Sequence, residues 1–212
     1  MYIPKAFEEN RLEVLHDAIE RVGLATLVTA TANGLMASHI PLLLNRDSGE
    51  FGTLLGHVAI ANNQWRESLP DTDALAIFVG PDAYISPTWY ASKAETGRVV
   101  PTWNYVAVHC TGPATFFQDQ DRLLKLVTRL TGRHEATFPK PWQVADAPQA
   151  FIEGQLRAIV GLELPIRKIE GKWKMSQNRT LEDRRGVVRG LGESEVGEIV
   201  ANTFAGRPDR ET

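Results

Sequence analysis

The sequence predicts an α+β protein in which an antiparallel β-barrel carries helices at its rim. Asn33-Gly34 is the strongest short hairpin signal in the chain, and it separates two runs rich in β-branched and apolar residues. The predicted strands between residues 24 and 58 follow one another through short turns, without helices that could cross between parallel strands. Six or seven strands are predicted in all, with several helices beside them, which favours an antiparallel barrel over a parallel sheet.

The first part of the chain predicts a helix followed by a meander of strands. Leu12, Leu15 and Ile19 recur at helical spacing, so we expect a helix over residues 10–22 that ends at Gly23. Strands are then expected over residues 24–31, 35–44 and 51–58, and a short helix over residues 59–69.

The second part alternates between strands, helices and irregular segments. Residues 74–79 are wholly apolar and predict a central strand, which Gly80-Pro81-Asp82 is expected to end with a turn. Further strands are predicted over residues 105–117, bent at Gly112-Pro113, and over residues 158–170, followed by a turn at Gly171. Helices are predicted over residues 118–132, 148–157, 180–190 and 194–204, and the last eight residues are expected to fray.

Composition narrows the possible functions. The net charge is −3, with 26 acidic and 23 basic residues, so the basic excess of a dedicated nucleic-acid-binding domain is missing. Cys110 is the only cysteine, which excludes an intrachain disulfide and zinc sites built on cysteine pairs. No run approaches the roughly 18 apolar residues of a membrane span. The first ten residues lack the basic-then-apolar layout of a signal peptide, so we expect a cytoplasmic location.

The stretch from Gly80 to Tyr105 concentrates the aromatic residues. It holds two of the five tryptophans and three of the four tyrosines, and Pro-Thr-Trp occurs in it twice. Proline is unfavourable inside strands and helices, and buried tryptophan needs a partner for its N–H. Aromatic planes beside Asn104 and Arg98 are typical of a site for a flat ligand with polar edges. The alternative is a long loop whose aromatic side chains cap the core.

The motifs of several common active sites are missing from the sequence. There is no P-loop, no Gly-x-Gly-x-x-Gly after a strand and no Gly-x-Ser-x-Gly. His109 and Cys110 are neighbours in a predicted strand and therefore point to opposite faces, which disfavours a Cys–His dyad. His39, His57 and His109 lie in predicted strands that could meet, but no histidine spacing indicates a metal site.

Two polar segments are candidates for binding an anion. Residues 52–65 predict a strand end followed by a helix start, where free backbone N–H groups can receive phosphate; close packing of the helix is the alternative. Residues 172–179 combine Lys172, Lys174 and Arg179 with amide and hydroxyl side chains. Such a set of donors suits a phosphate or the polar edge of a heterocycle, and a solvated strand end is the alternative.

On these residues the chain resembles the PaiB-type FMN-binding negative transcriptional regulators, which belong to the flavin-binding split-barrel group. The resemblance covers roughly residues 1–192, and its most specific segments are Pro101–Tyr105 and Ser176–Arg179. The other matching segments are Met1–Lys5 with Phe7, Ser38–Pro41, Gly52–Leu54 with Gly56-His57, Ala61-Asn62 with Gln64-Trp65, Gly80-Pro81 with Tyr84–Pro87, Trp89-Tyr90 with Lys93, Val99-Val100, Lys174, and Gly186 with Gly190-Leu191. The family has Asn-Pro where this chain has Asn62-Asn63, which removes a helix-start signal but no ligand group.

The resemblance implies a six-stranded antiparallel split β-barrel that forms a homodimer and holds FMN in a cleft between the two subunits. We expect this domain over residues 1–178 and a short helical extension packed on it over residues 179–212. The residues that the matching motifs bring forward for FMN are His39, His57, Asn62, Trp103, Asn104, Ser176, Gln177 and Arg179, followed by Trp89, Tyr90 and Lys93. Within this set we expect Arg179 and His57 to face the phosphate, Asn104 and Gln177 the polar edge of the flavin, and Trp103 its ring.

The function that the resemblance implies is negative regulation of transcription. The sequence itself contains no helix-turn-helix, so direct contact with DNA would fall to the basic residues between Arg167 and Arg189, for which a solvated face is the alternative. Two other functions fit the same fold group. One is an FMN-dependent oxidoreductase, either a flavin reductase or an enzyme similar to pyridoxamine-phosphate oxidase. The other is a haem-binding protein with His39, His57 or His109 as the axial ligand.

Overall fold

The computed structural model of the chain describes residues 1–204 and divides them into two compact units. Unit 1 consists of Met1–Arg11, Val79–Val108 and the chain from Glu170 onwards, and unit 2 consists of Leu12–Phe78 and His109–Ile169. The frayed end predicted for the last eight residues lies outside the described residues. The domain boundary predicted between residues 178 and 179 stays a prediction.

Runs of consecutive strands are separated by helices along the chain, as in an α+β protein. The strands are β1 (Glu8–Glu9), β2 (Leu24–Thr31), β3 (Gly34–Pro41), β4 (Leu43–Asn45), β5 (Thr53–Ala59), β6 (Asp73–Ile85), β7 (Thr102–Pro113), β8 (Thr115–Phe117), β9 (Ile159–Pro165) and β10 (Lys168–Lys174). The helices are α1 (Leu12–Val22), α2 (Gln64–Glu67), α3 (Ser92–Thr96), α4 (Gln120–Glu135), α5 (Gln149–Arg157), α6 (Leu181–Leu191) and α7 (Glu195–Asn202). Short 3₁₀ turns cover Lys5–Phe7, Pro87–Trp89 and Val144–Asp146.

The strands form two sheets, so an α+β fold with a large antiparallel sheet is confirmed. The larger sheet has the order β1-β10-β7-β6-β2-β3, and the smaller has the order β4-β5-β9-β8. The predicted hairpin at Asn33-Gly34 is confirmed: β2 and β3 pair antiparallel from Thr31 opposite Gly34 to Leu24 opposite Pro41. None of the helices within residues 1–204 has the length and apolar character needed to cross a membrane.

Unit 2 is built around the meander and the smaller sheet. Strand β5 pairs antiparallel with both β4 and β9, which places the wholly buried Leu54, Leu162 and Leu164 in one core. Helix α4 begins after Asp119, whose carboxylate accepts a hydrogen bond from the backbone N–H of Arg122 at 2.8 Å. Of the two aspartates that the sequence offers as caps, Asp119 and Asp121, the first is therefore the cap. Its buried face, Leu126 and Leu130, packs with Leu43.

In unit 1 a strand near the beginning of the chain pairs with a strand that follows residue 167. Glu8 of β1 pairs with Lys172 of β10, and Glu9 pairs with Gly171. Helices α6 and α7 each begin after a hydroxyl residue that caps the first turn: Thr180 accepts from Asp183 N, and Ser194 accepts from Gly197 N. The buried cluster of the unit contains Ile85, Tyr90, Val106, Met175, Val187, Val196 and Val200.

Two predicted turns are wrong. Strand β6 continues through Gly80-Pro81-Asp82 to Ile85, because its pairing with β2 is confined to Leu75–Ile77 and the missing N–H of Pro81 interrupts no bond there. Strand β9 ends at Pro165, and Gly171 lies within β10, where it pairs with Glu9.

The helix predicted over residues 59–69 is shorter than expected. Ala59 still belongs to β5, where it pairs with Ile159, and the helical segment α2 covers only Gln64–Glu67. The strand predicted over residues 35–44 is likewise divided into β3 and β4 around Leu42, whose N–H donates to Gly23 O at 2.9 Å. Both boundaries depend on hydrogen bonds to residues that are remote in sequence. A pattern of neighbouring residues does not reveal such partners.

Candidate functional site

The predicted cofactor residues fall into two sets, one in each unit. His39, His57 and Asn62 belong to unit 2. The other eight belong to unit 1: Trp89, Tyr90, Lys93, Trp103, Asn104, Ser176, Gln177 and Arg179.

In unit 2, Asn62 organises the turn between β5 and α2. Its Nδ2 donates to Ser38 Oγ at 2.8 Å, and its Oδ1 accepts from Gln64 N at 2.9 Å. The side chain of Gln64 is wholly buried, and its Nε2 lies 3.2 Å from both Leu27 O and Met36 O. Gln64 therefore ties this turn to the β2–β3 hairpin. Because α2 spans only Gln64–Glu67, the anion-binding helix start predicted from residues 52–65 is not present as a long helix.

The two histidines of this set have different surroundings. His39 is exposed on β3, and its Nδ1 lies 3.0 Å from Thr26 Oγ1 on β2. His57 is half-buried on β5, and its buried Nδ1 has no hydrogen-bond partner in the described part of the chain. Burial lowers the pKa of His57, because the charged imidazolium loses hydration. A neutral imidazole with an unpaired nitrogen is available to bond a ligand.

In unit 1, Asn104 and Ser176 form a buried polar pair. Asn104 Nδ2 donates to Ser176 Oγ at 3.0 Å, and neither residue is significantly exposed. Ser176 has a φ of 61°, a left-handed conformation that costs a non-glycine residue about 1–2 kcal/mol. The pair joins β7 to the segment after β10.

Gln177 supports the same unusual turn. Its Oε1 accepts from Met175 N at 2.6 Å, and its Nε2 donates to Trp173 O at 2.5 Å. Both ends of this amide thus bond the backbone on the N-terminal side of Ser176. In this arrangement Gln177 holds the turn in shape, and its predicted contact with the flavin edge stays a prediction.

Aromatic rings lie beside this polar turn. The Arg179 guanidinium stacks 4.5 Å from the ring centroid of Tyr90, which is buried and whose hydroxyl has no partner among the described residues. Trp103 is 54% exposed and meets Tyr84 edge-on at 6.0 Å between ring centroids. Trp103 therefore offers an open aromatic face on β7.

Three cations of unit 1 lie near one another: Lys172, Lys174 and Arg179. Lys174 Nζ donates to Trp103 O at 2.7 Å and to Thr102 Oγ1, while Lys172 Nζ donates to Tyr2 O at 3.1 Å. Burial lowers the pKa of Lys174, and the positive charges of Lys172 and Arg179 lower it further. Within residues 1–204, none of the three forms an ion pair with a carboxylate. The cluster carries positive charge that is not neutralised locally.

The second-rank candidates Trp89, Tyr90 and Lys93 lie in a segment held by α6. Asp183 is buried, and its two carboxylate oxygens accept from Ser92 N at 2.9 Å and from Ser92 Oγ at 2.8 Å. A Cβ atom added at Gly186 would overlap Trp89 O, and one added at Gly190 would overlap the Trp89 ring. Trp89 thus packs against a helix, whereas Lys93 is exposed on α3.

Comparison with protein families identifies the group to which these features belong. A family model described as "Putative FMN-binding domain" matches residues 1–168. The chain belongs to this FMN-binding family. FMN is therefore its cofactor, as the resemblance implied. The match ends at Lys168, the first residue of β10, so Lys174, the Asn104 partner Ser176 and helices α6 and α7 follow the part that the family model covers.

A relative of this FMN-binding protein extends the similarity along almost the whole chain. "Protease synthase and sporulation protein PAI 2" from Bacillus subtilis (strain 168) is 33% identical over 195 residues, which is 92% of this chain and 91% of the relative. This agrees with the PaiB-type resemblance drawn from the sequence.

Solved structures show the same fold at low sequence identity. The FAD and haem binding protein from Mycobacterium smegmatis has a TM-score of 0.56 at 17% identity, covering 79% of this chain and 73% of that one. The flavocytochrome Anf3 from Azotobacter vinelandii has a TM-score of 0.57 at 13% identity, covering 87% and 78%. The fold of the FMN-binding protein is thus shared with flavin-binding proteins.

The donor set of unit 1 fits FMN. An organic phosphate requires positive charge, and Lys174 and Arg179 supply cations without carboxylate partners. A flat ring system requires an apolar face, which the exposed Trp103 supplies. The unpaired Tyr90 hydroxyl offers a further hydrogen bond. In unit 2, the unpaired Nδ1 of His57 is compatible with a polar ligand group as well.

Sequence reasoning missed several residues that shape this region. Asp183 and Ser92 are 91 positions apart, and no motif connects them. Lys172 and Lys174 belong to the predicted donor segment but were not assigned to the cofactor. The excess of lysine and arginine without nearby acidic residues in that segment is the signal that could have brought them forward.

Proposed function

We propose that the FMN phosphate binds at the cation cluster of Lys172, Lys174 and Arg179, and that the protein is a flavin-dependent negative regulator of transcription. The observation that carries the first part is the cluster itself. Buried or half-buried cations without ion pairs are unfavourable in a folded protein unless a ligand or water offsets their charge. The phosphate group of FMN is a dianion and can offset the charge of these cations.

Side chains near the cation cluster can make the other contacts with FMN. Arg179 can bond the phosphate with its guanidinium while its plane stays on Tyr90. Trp103 stacks with the isoalloxazine, and Asn104 with Ser176 holds β7 in place beside it. Of the other predicted contacts in unit 1, Lys93 is exposed on α3. Those in unit 2, His39, His57 and Asn62, stay predictions. Bound FMN supplies reversible electron transfer, and the protein supplies orientation and charge.

Titration with two flavins tests the phosphate site. Arg179→Ala and Lys174→Ala are each expected to weaken FMN binding by about tenfold or more, because a charge-assisted hydrogen bond contributes roughly 1.5–3 kcal/mol. Riboflavin has the same ring but no phosphate, so its affinity is expected to stay close to the wild-type value. Flavin fluorescence quenching measures both.

Lys125→Ala is the matched control, since this lysine is exposed on α4 and contributes to neither set of candidates. An equal loss of riboflavin and FMN affinity in Arg179→Ala would place Arg179 at the ring or in the fold. Unchanged FMN affinity in both variants would remove the cation cluster from the site.

The regulatory part of the proposal is supported by the similarity to PAI 2, whose name refers to protease synthesis and sporulation. We propose that the chain acts in the cytoplasm as a homodimer, in which each copy is a six-stranded split barrel and FMN lies in the cleft between the two subunits. Trp103, Val100 and Tyr84 are exposed apolar side chains of unit 1 that a second copy would cover. Sedimentation analysis with and without FMN measures the expected dimer.

Direct contact with DNA would use the basic residues of α6. Arg185 and Arg189 are exposed there, whereas Arg184 donates to Thr203 Oγ1 and stacks on Phe204. A gel shift at low and moderate salt tests the contact, because binding through phosphates weakens steeply with salt. Loss of the shift in an Arg185→Ala, Arg189→Ala double variant is the expected result. No shift at either salt concentration would mean that regulation is indirect.

A second candidate function is that of an FMN-dependent oxidoreductase. The exposed face of Trp103 beside Tyr84 favours it, because a substrate could lie against the same aromatic surface as the flavin. Oxidation of NADH or NADPH with added FMN measures this activity. The absorption spectrum of freshly purified protein separates both functions from haem binding, for which the unpaired His57 Nδ1 would supply the ligand. A Soret band would favour haem.

A further inference from the structure

Unit 2 contains a cavity of about 1220 Å³ between α4, α5 and residues 141–147, which we call the α4–α5 groove. Ligand pockets in proteins usually measure about 300–1000 Å³, so the groove can hold a whole small molecule. It shares no residue with the candidate cofactor site. We propose that the α4–α5 groove binds an uncharged, mainly apolar small molecule, in addition to FMN.

The groove lies on a face of α4 that the core does not use. The core face of α4 carries Leu123, Leu126 and Leu130, all of them buried. Leu124 and Thr128 stand on a different face and line the groove, and Leu124 is 40% exposed. A leucine at this position gains nothing from the core, but it offers apolar surface to a ligand.

The opposite side of the groove repeats this arrangement. Ile152 and Leu156 follow each other at helical spacing on α5 and line the groove, with Leu156 buried at its base. Trp142 stands at the third wall and is 45% exposed. Apolar side chains thus come from all three walls. Exposed apolar residues scattered over a surface need no explanation, but a concave group of them marks a binding site.

The third wall is held in place without a ligand. Trp142 N donates to Glu135 Oε2 at the end of α4, at 2.9 Å. Gln143 N donates to Asp146 Oδ2, also at 2.9 Å, and fixes the 3₁₀ turn that follows. The groove is therefore a preformed cavity, which suits a small molecule better than the flat surface of a protein partner.

The charges around the groove favour an uncharged ligand. Asp121, Glu153 and Arg157 are its charged lining residues, and they carry both signs. Glu153 already accepts from Gln149 Nε2 at 2.9 Å. With acidic and basic side chains both present, the lining offers no single sign of charge that would select an ionic headgroup. The threonine and glutamine side chains of the lining can bond a hydroxyl or carbonyl group.

Titration of the full chain with Nile red, an uncharged dye that fluoresces in apolar surroundings, tests the site. Saturable binding of one dye per chain is expected. Thr128→Phe fills the groove from an exposed helix position and should weaken binding by about tenfold or more. Arg129→Phe adds the same side chain to the neighbouring exposed position, outside the groove, and should leave binding unchanged. The proposal would be overturned if both variants bound Nile red as tightly as wild type, or if both bound it more weakly.

Displacement of the dye by three ligands with the same alkyl chain tests the ligand class. Decanol is expected to displace Nile red at a lower concentration than decanoate or decylammonium. A charged ligand that competes as well as decanol would overturn the assignment to uncharged molecules. If Thr128→Phe, but not Arg129→Phe, shifts the sedimentation of the protein, the groove is a contact between copies and the small-molecule proposal fails. FMN titration of both variants should match wild type, so failure here is distinct from failure of the cofactor site.

Discussion

In unit 2 the helices α4 and α5 leave a groove between them, whereas in unit 1 the helix α6 closes tightly against the segment that carries Trp89 and Tyr90. The helices of both regions contain glycine. Gly132 of α4 has no atom within contact distance of an added Cβ, and Gly154 of α5 has only the end of the Arg157 side chain. Gly186 and Gly190 of α6 have the backbone and ring of Trp89 there instead. Helical glycine therefore accompanies close packing in unit 1 and open space in unit 2.

The largest expected effect comes from the glycines themselves. Gly186→Ala should lower the free energy of unfolding by about 3 kcal/mol, because the added methyl group overlaps the rigid backbone of Trp89. Gly132→Ala and Gly154→Ala should raise it by about 0.5–1 kcal/mol, because alanine favours helix and meets no obstacle. Urea unfolding of the three variants measures the contrast. If Gly186→Ala stabilised the protein, α6 would not be closely packed at this position.

Removing apolar surface should follow the same contrast with a smaller effect. Val187→Ala in α6 removes methyl groups from a wholly buried position and should cost about 2 kcal/mol. Leu124→Ala in α4 removes more atoms but faces the groove, so it should cost less than about 0.5 kcal/mol. Thermal unfolding measures both. Equal costs would mean that Leu124 supports the fold as well as the groove.

The two regions also differ at an aspartate in the first turn of a helix: Asp183 of α6 is buried, and Asp121 of α4 is exposed. Asp183→Asn should cost about 1.5 kcal/mol, because it weakens two buried hydrogen bonds to Ser92, and it should also weaken FMN binding if Tyr90 and Lys93 contact the cofactor. Asp121→Asn on the exposed start of α4 should change stability by less than about 0.5 kcal/mol. Unfolding and FMN titrations separate the two effects. The FMN half of the expectation fails if Asp183→Asn binds FMN like wild type.

The smallest difference is expected at the helix caps, where the two regions should behave alike. Asp119 caps α4 and Thr180 caps α6, each through one hydrogen bond to a backbone N–H. Replacing either by alanine should cost about 1 kcal/mol. Unequal losses in urea unfolding would show that one cap also supports the packing around it.

The sequence predicts features that depend on a few neighbouring residues. Asn33-Gly34 forms its hairpin, and Asp119, Thr180 and Ser194 cap their helices, because each of these signals acts within about four residues. Pro81 and Gly171 carry equally local turn signals, and both predicted turns were wrong: β6 continues through Pro81, and Gly171 pairs with Glu9 within β10.

The candidate site was predictable to a similar extent. The resemblance brought forward Asn104 and Ser176, which the structure pairs, and Arg179 and Tyr90, which it stacks. It did not bring forward the Asp183–Ser92 contact, since the two residues are remote in sequence. Periodicity predicted one apolar face of α4 from Leu123, Leu124, Val127 and Leu130. Leu123 and Leu130 are buried with Leu126, whereas Leu124 is 40% exposed and lines the cavity, which helical spacing alone does not distinguish.

The pairing of β1 with β10 has a consequence for how the chain folds during its synthesis. Glu8 leaves the ribosome before the residues of unit 2, but its partner Lys172 leaves after them. Residues of unit 2 end at Ile169, so that unit can complete its sheet and core first. We expect the early strand to wait unpaired while unit 2 folds, and unit 1, with its cation cluster, to form last.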